Sequence, residues 1–265
     1  MLHRAIGVFD SGVGGLTVLR EIMRRLPEED LVYLGDTARV PYGTKSAETV
    51  RQYALEAGEF LVERGVKMLV VACNTASAVA LPALRERFKL PVVGVIEPGA
   101  RRAARSRKGR IGVIGTEGTI GSGRYVEAIH ALLPGAQVFS AACPLLVPLA
   151  EEGWAEHQVA RLAVQEYLAP LKKNDVDTLV LGCTHYPLLR NVLQAEMGDG
   201  VTLVDSAEET AATVADLFRE QGLQRPQSGG QRAFFVTDVP TRFIRVGQPF
   251  LEQELSRVQQ VRIGF

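Results

Sequence analysis

The chain has 265 residues, of which 46% are hydrophobic and 23% charged, and its 30 basic residues balance 30 acidic ones. This composition predicts a globular protein with a substantial core, and a neutral chain has no overall charge to draw it to nucleic acid or an anionic membrane. No apolar run approaches the roughly 18 residues of a membrane span, and the one near the start is too short for a signal peptide. We therefore expect a soluble cytoplasmic protein with a small-molecule partner, and neither a membrane nor nucleic acid as a partner.

The N-terminal part alternates short apolar runs with helical patterns. In chain order the patterns predict a strand over 6–9, a helix over 16–26, a strand over 31–34, a helix over 49–64 and a strand over 68–72. Pro82 leaves the extent of the next helix open, because proline breaks a helix interior. The alternation is typical of βαβ units around a mainly parallel sheet.

A second set of elements repeats the first. Residues 6–12 resemble 111–116 in register, and VKMLVVAC (66–73) resembles VDTLVLGC (176–183). Both of the latter runs end on a cysteine, Cys73 and Cys183, so we interpret them as a duplication rather than as the chance likeness of two buried strands. The predicted fold class is α/β, with two similar α/β domains, mainly parallel sheets, a pseudo-twofold relation and an active site in the cleft between them.

The C-terminal part is too short for a third domain. Residues 223–231 are rich in Pro, Gly, Ser and Gln and predict a connector, followed by a strand over 233–237 and a helix over 249–261. These elements are expected to return and complete one of the two sets of elements. The basic run 101–110 is interpreted as a solvated helix end and loop rather than a nucleic-acid patch.

Polar residues follow three predicted strands directly, at 10–11, 73–75 and 183–185, where open α/β sheets bind ligands. A helix N-terminus after Cys73 and after Cys183 is expected to lower each thiol's pKa from about 8.5. Two equivalent thiols facing one cleft suit the inversion of a carbon centre, which needs a base on one face and an acid on the other. Cys143 is interpreted as structural, and the three cysteines fit neither a disulfide framework nor a zinc site.

Four acidic or basic side chains near these positions have open roles. The turn 10–15 is not a dinucleotide fingerprint, because Thr17 stands where a glycine is needed. Asp10 could lie beside a thiol or beside the substrate ammonium. Alternatively, it caps the following helix. His185 is expected on the same side as Cys183 if the strand geometry continues. Either Glu151 or Glu152 reaches the cleft, or both begin a solvated helix.

Taken together, the motifs resemble those of glutamate racemases, which supply D-glutamate for bacterial peptidoglycan. The two cysteine motifs carry most of the specificity, and the matching segments span almost the whole chain. They are Asp10–Gly15, Pro41–Gly43, Cys73–Ala76, Val147–Leu149, Gly182–Leu188 and Thr237–Pro240.

The resemblance implies two similar α/β domains, the first comprising 1–97 with 211–265 and the second 98–210. It also implies a cleft holding both thiols, no pyridoxal phosphate and no metal. It implies that Cys73 takes the proton from D-glutamate and Cys183 takes it from L-glutamate. Asp10 would assist on the Cys73 side, and His185 and Glu151 on the Cys183 side. The implied substrate-binding residues are Asp10, Ser11, Pro41, Tyr42, Gly43, Asn74, Thr75, Thr184 and His185.

Other functions remain open at this level. A racemase of a related acidic amino acid such as aspartate would share the general plan. A pyridoxal phosphate racemase would need a lysine, for which Lys45 near the Tyr42–Gly43 segment is the candidate. A two-domain small-ligand binding protein would make the cysteines incidental. The oligomeric state is not fixed by the sequence, and a homodimer stays open.

Overall fold

The computed structural model describes residues 2–225 and 229–264. Its strands are β1 (Ile6–Asp10), β2 (Leu31–Gly35), β3 (Met68–Val71), β4 (Val92–Gly94), β5 (Arg110–Gly115), β6 (Gln137–Ala142), β7 (Thr178–Gly182), β8 (Thr202–Asp205), β9 (Arg232–Val236) and β10 (Val258–Gln260). Its α-helices are α1 (Leu16–Arg25), α2 (Ala47–Glu63), α3 (Asn74–Arg87), α4 (Ile96–Ala103), α5 (Glu117–Gly121), α6 (Arg124–Leu132), α7 (Leu146–Glu151), α8 (Gln158–Lys173), α9 (Arg190–Met197), α10 (Ser206–Gln221) and α11 (Pro240–Leu251). Short 3₁₀ turns lie at Tyr42–Thr44 and Tyr186–Leu189.

The strands form two parallel sheets. The first has the order β10-β9-β2-β1-β3-β4 and the second the order β6-β5-β7-β8. The order β2-β1-β3-β4 in the first sheet therefore recurs as β6-β5-β7-β8 in the second. This recurrence confirms the predicted α/β class with two parallel sheets and supports the duplication. The domain boundaries at 97/98 and 210/211 stay a prediction, and α10 runs across the second of them.

β1 and β5 hold equivalent central positions. Ile6 pairs with Leu31 on one side and Met68 on the other, while Ile111 pairs with Val138 and Thr178. β1 is buried along its whole length, as expected for a parallel strand covered on both faces. Because neighbouring parallel strands end at the same edge, the residues that follow β1 and β3 emerge together, and so do those that follow β5 and β7.

Helix boundaries differ from the predicted ones for local reasons. α2 begins at Ala47, two residues earlier than predicted, because the Ser46 side chain caps it by accepting a hydrogen bond from the Thr49 N–H at 3.2 Å. α3 continues through Pro82 to Arg87. A proline gives up one backbone hydrogen bond, and the buried Leu81 and Leu84 around it pack this helix against its neighbours.

The predicted helix over 249–261 is wrong. The helix in this region is α11, which starts at Pro240, where proline is favoured in a first turn, and ends at Leu251. Glu252 then takes a positive φ of 56°, which terminates the helix. The chain continues into β10, which pairs with β9 at the edge of the first sheet. The C-terminal strands therefore extend the first sheet, which agrees with the expected return of this part to one of the two sets of elements.

The connecting segments agree with the sequence analysis where they are described. Residues 226–228 of the predicted connector lie outside the described residues, and 223–225 and 229–231 beside them have neither helix nor strand. The basic run 101–110 comprises the end of α4 and the loop before β5, where Arg102 lies 3.6 Å from Glu209 and Lys108 lies 2.8 Å from Asp175. Among the helices of the described ranges, none has the length and apolar character that a bilayer crossing requires.

Candidate active site

A small cavity of about 60 Å³ lies where the carboxyl ends of the two sheets meet. A volume of this size holds a few water molecules, so it suits a small polar ligand. Both Cys73 and Cys183 line it, and the two sulfurs therefore share one cavity rather than pointing into separate interiors. The lining residues are Ser11, Gly12, Val40, Pro41, Tyr42, Gly43, Cys73, Asn74, Thr75, Thr116, Val147, Glu151, Cys183, Thr184 and His185.

Cys73 stands at the start of α3. Its sulfur accepts a hydrogen bond from the Ala76 N–H at 3.4 Å and lies 3.8 Å from the Ser11 hydroxyl. The side chain is 5% exposed, so the sulfur has little contact with bulk water. The predicted position of Cys73 at a helix N-terminus is therefore correct.

The predicted lowering of the Cys73 pKa is wrong. Burial raises the pKa of Cys73 to about 12, and the neighbouring Asp10 carboxylate raises it further, while the Ala76 N–H and the Ser11 hydroxyl oppose the change. Desolvation of a thiolate outweighs one helix N-terminus because a buried charge loses its water on all sides. Cys73 is accordingly a protonated thiol at neutral pH, and in that form it can act as an acid.

Cys183 has a different neighbour. It follows β7 directly, and the next element is the 3₁₀ turn Tyr186–Leu189 rather than an α-helix, so the expected helix N-terminus is absent from this position. Its sulfur lies 3.8 Å from Nδ1 of His185. The strand does not continue through 183–185, yet the turn brings the sulfur and the imidazole together as the sequence analysis predicted.

His185 connects Cys183 to a carboxylate. Its Nε2 lies 3.0 Å from Oε1 of Glu151, at the end of α7. Burial alone would lower the pKa of His185, but the hydrogen bonds and charges of Cys183 and Glu151 raise it to about 10. The ring also packs edge-on against Phe250 of α11, at 5.2 Å between centroids. The imidazole is thus held as a cation beside the sulfur of Cys183.

Of the two candidate glutamates, Glu151 faces the site and Glu152 is exposed. The hydrogen bond from His185 lowers the pKa of Glu151, and burial opposes this. The second oxygen of Glu151 lies 3.7 Å from Arg242, an exposed residue on α11. Glu151 is therefore an anion between two cations.

Asp10 is the one predicted site residue that does not itself line the cavity. It is 1% exposed, and its Oδ2 accepts a hydrogen bond from the Gly12 N–H at 2.9 Å. α1 begins after Gly15 with no side-chain cap, so the helix-capping alternative for Asp10 is wrong. Burial raises the pKa of Asp10, while the charge of His185 lowers it. Asp10 stands behind the cavity wall as a neighbour of Cys73.

The segment Pro41–Gly43 closes the cavity on one side. The Tyr42 hydroxyl donates to Asp36 at 2.5 Å, and Arg39 donates to the same oxygen at 2.7 Å. Because that hydroxyl is engaged, Tyr42 can offer a ligand its ring and backbone but not its hydroxyl proton. Gly43 allows a close approach, since a Cβ there would lie 2.7 Å from Cβ of Thr116.

Polar groups from both sheets complete the lining. The Thr75 hydroxyl lies 2.9 Å from that of Thr116. Thr184 is 5% exposed, and its carbonyl accepts a hydrogen bond from the Thr17 hydroxyl at 3.1 Å. Asn74 is 3% exposed, and its Oδ1 accepts a hydrogen bond from the Tyr125 hydroxyl at 2.7 Å. These groups are suited to bind carboxylates and an ammonium.

Thr116 is a cavity residue that the sequence analysis missed. It follows β5 as Ser11 follows β1, and the repeat itself aligns the two positions. The alignment of Thr116 with Ser11 in the repeat is therefore the sequence feature that marks Thr116 as a cavity residue.

Pyridoxal phosphate chemistry would need a lysine at the cavity, and metal chemistry would need a group of metal-binding side chains. Lys45, the candidate for a pyridoxal phosphate linkage, is exposed and does not line the cavity. Within residues 2–225 and 229–264, no three His, Cys, Asp or Glu side chains are grouped so as to hold a metal ion. The cavity instead presents two thiols, one beside an imidazolium and one beside a buried carboxylate. This arrangement can move a proton onto and off a carbon atom that lies between the sulfurs.

Comparison with known proteins gives a consistent result. A family model described as Asp/Glu/Hydantoin racemase matches residues 6–214. A glutamate racemase of Geobacter metallireducens is 60% identical over 99% of this chain and 98% of its own length. One from Syntrophus aciditrophicus is 52% identical over 97% of this chain and 96% of its own.

Solved structures agree with the sequence relatives. A glutamate racemase isoform from Bacillus anthracis superposes with a TM-score of 0.95 at 44% identity, covering 99% of this chain and 98% of that one. The Francisella tularensis glutamate racemase, solved in complex with D-glutamate, has a TM-score of 0.94 at 36% identity with the same coverage. An aspartate racemase homologue from Pyrococcus horikoshii, at 19% identity and a TM-score of 0.58, covers 81% of this chain and 98% of its own and shares the fold.

Proposed function

The chain belongs to the Asp/Glu/hydantoin racemase family, and we propose that it interconverts L-glutamate and D-glutamate by passing the α-proton between Cys73 and Cys183. Its activity as a glutamate racemase, an isomerase, follows from relatives of that name that are up to 60% identical over almost the full chain. The assignment of roles to individual residues rests on the geometry of the cavity. The observation that carries it is the presence of both thiols in one small cavity, each at the end of an equivalent strand.

Conversion of L-glutamate begins at Cys183. Cys183 acts here as a thiolate beside the imidazolium of His185, which Glu151 stabilises. The sulfur takes the α-proton, and the electron pair of the C–H bond stays on the substrate, spread over the α-carbon and its carboxylate. The Cys73 thiol then gives its proton to the opposite face, which yields D-glutamate, a Cys73 thiolate and a Cys183 thiol.

The reverse reaction uses the same groups in exchanged roles. The Cys73 thiolate takes the α-proton of D-glutamate, and the Cys183 thiol returns one to the other face. Asp10 supports the Cys73 side, where its carboxyl group can exchange a proton with the sulfur. Each half of the duplicated fold thus contributes one acid and base to a single carbon centre.

The α-proton of an amino acid is a poor acid, so the site has to stabilise developing negative charge. Donors fixed in a small cavity do this better than bulk water, because they need not reorient during the reaction. Asn74, Thr75, Thr116 and Thr184 present such donors from the ends of both sheets. We assign the substrate's carboxylates to them and to Ser11.

The proposal extends to the use of the product, the location of the enzyme and its oligomeric state. The D-glutamate produced is a building block of peptidoglycan. All three cysteines are free and buried, and free thiols persist in the reducing cytoplasm, which supports a cytoplasmic location. A homodimer stays a prediction that awaits measurement.

The assay for this proposal is racemisation followed by circular dichroism, with purified protein and no added cofactor. We expect the L-glutamate signal to decay to zero, and L-aspartate, which is one methylene shorter, to react roughly 10- to 200-fold more slowly. Lys45→Ala is the control for a pyridoxal phosphate enzyme and should keep the wild-type rate. An L-glutamate signal that never changes would identify a binding protein instead.

A further inference from the structure

The side-chain amide of Asn74 has one end paired and the other end free. Its Oδ1 accepts the hydrogen bond from Tyr125, whereas its Nδ2 is buried and finds no acceptor among residues 2–225 and 229–264. Asn74 is one of the residues that line the cavity, and the buried Nδ2 lies on the opposite end of its amide from the Tyr125 hydroxyl. A buried donor without an acceptor is unfavourable, and a ligand carboxylate would satisfy it.

The direction of this amide matters for binding an anion. With Nδ2 toward the cavity, the amide donates to a carboxylate. Rotated by 180°, it would present a carbonyl oxygen to that carboxylate and repel it. The amide therefore needs a hydrogen-bond donor on its other side, to fix the oxygen away from the ligand.

Tyr125 is that donor. It is 2% exposed, and burial raises the pKa of Tyr125, so the phenol keeps its proton. Its ring is fixed by the second sheet, since a Cβ at Gly182 would lie 3.1 Å from Cε2 of the ring. Asn74, by contrast, begins α3 beside the first sheet. The orientation of a donor in one half of the molecule is thus set by a phenol in the other half.

We propose that Tyr125 is a positioning residue that holds the Asn74 amide with its N–H groups toward the substrate. The proposal deepens the proposed function and rests on it, because it assumes that a substrate carboxylate occupies the cavity. Tyr125 touches no substrate in this account and acts only through Asn74.

A double-mutant cycle in the full-length protein tests the proposal with Tyr125→Phe, Asn74→Ala and the double variant. The amide binds the carboxylate before and during reaction, so Tyr125→Phe should raise KM for glutamate about tenfold, with kcat changed less than about threefold. In the Asn74→Ala background, Tyr125→Phe should add no more than about a twofold change in kcat/KM. Independent, multiplicative effects of the two changes on kcat/KM would overturn the proposal, as would a wild-type KM in Tyr125→Phe.

A second comparison serves if Tyr125→Phe does not fold. Asn74→Asp would keep the bond from Tyr125 but place a carboxylate oxygen toward the cavity. It should bind glutamate about tenfold more weakly than Asn74→Ala does, because like charges then face each other. Equal or tighter binding by Asn74→Asp would overturn the proposal. If the wild-type protein itself fails to racemise glutamate, the proposed function fails instead, and the two failures are therefore distinguishable.

Discussion

Cys73 and Cys183 occupy equivalent positions in the repeated fold but have unlike surroundings. Cys73 begins an α-helix and has a hydroxyl, that of Ser11, and the buried carboxyl of Asp10 as neighbours. Cys183 is followed by a 3₁₀ turn and lies 3.8 Å from an imidazole that a carboxylate supports. The repeated strand order thus brings two thiols to one cavity, and each thiol has different neighbouring side chains.

The unlike surroundings shift the pKa of a different group on each side of the cavity. Desolvation and the Asp10 carboxylate keep the Cys73 thiol protonated, since its pKa is raised to about 12. On the other side, the hydrogen bonds and charges of Cys183 and Glu151 raise the pKa of His185 to about 10, so the imidazole is a cation there. In the proposed mechanism the Cys73 thiol is accordingly the acid that completes the L-to-D conversion.

Removing either sulfur should have the largest effect. Cys73→Ala and Cys183→Ala should each reduce racemisation of glutamate roughly 10⁴-fold, because one face then lacks its acid or base. A glutamate with a leaving group on its β-carbon needs only one base for elimination. Cys73→Ala should still eliminate from the L form and Cys183→Ala from the D form, as measured by keto-acid formation.

Cys143→Ala is the matched control for these variants. Cys143 is fully buried but does not line the cavity, so its removal should leave kcat/KM within about twofold of wild type. If either Cys73→Ala or Cys183→Ala racemised glutamate at the wild-type rate, the two-thiol account would be wrong.

Replacing His185 or Asp10 should produce smaller effects, each on the reaction of one enantiomer. His185→Asn should slow elimination from the L form about 100-fold and hardly change elimination from the D form. Asp10→Asn should do the reverse, because the Asp10 carboxylate neighbours Cys73. Equal losses for both enantiomers in each variant would contradict the division of the site into two sides.

Gly14 tests the contact between the two halves. A Cβ at Gly14 would lie 2.3 Å from Oγ1 of Thr184 and 2.5 Å from Nδ1 of His185. Gly14→Ala should therefore displace His185, lower kcat/KM by about tenfold and reduce stability by about 1–3 kcal/mol, measured by thermal unfolding. Gly121→Ala is the control, since a Cβ there meets no heavy atom of the described residues within 4 Å. Wild-type activity in Gly14→Ala would show that the position of His185 is unimportant.

Glu151 should have the smallest effect and one that depends on pH. Glu151 raises the pKa of His185, so Glu151→Gln should lower it from about 10. The imidazolium is lost as pH rises through that pKa, and the alkaline fall of kcat/KM should therefore move to lower pH, by roughly one unit. Glu152→Gln, at the exposed neighbour, should leave the pH profile unchanged. An alkaline limb that moves upward or not at all in Glu151→Gln would contradict this role.

Much of the fold was predictable because its signals are local. The buried runs of β1 and β3, the repeat in β5 and β7 and the cysteine after β3 and β7 are all visible in short stretches of sequence. The helix over 249–261 was not predictable in this way. Either Pro240 or Pro249 could open a helix by its local sequence, and the structure uses Pro240, with Pro249 inside α11 and β10 following it.

The sequence indicates which residues lie at the cavity better than it indicates their pKa values. A helix N-terminus after Cys73 is visible in the sequence and favours a lower thiol pKa. The burial that raises this pKa instead depends on the packing of both sheets and is not visible there. Tyr125 and Asp36 act through contacts with Asn74 and Tyr42 that no sequence spacing marks. Such partners are known only once the two sheets are placed beside each other.

The central claim is that two sulfurs act on opposite faces of one α-carbon. Early turnover of L-glutamate in heavy water, with both enantiomers separated and their α-deuterium measured, tests it most directly. Cys73 carries a solvent deuteron before turnover, so the D-glutamate first formed should be deuterated, while the unreacted L-glutamate keeps its protium. Deuterium appearing equally in both pools, or D-glutamate that retains the original proton, would indicate a single base and contradict the account.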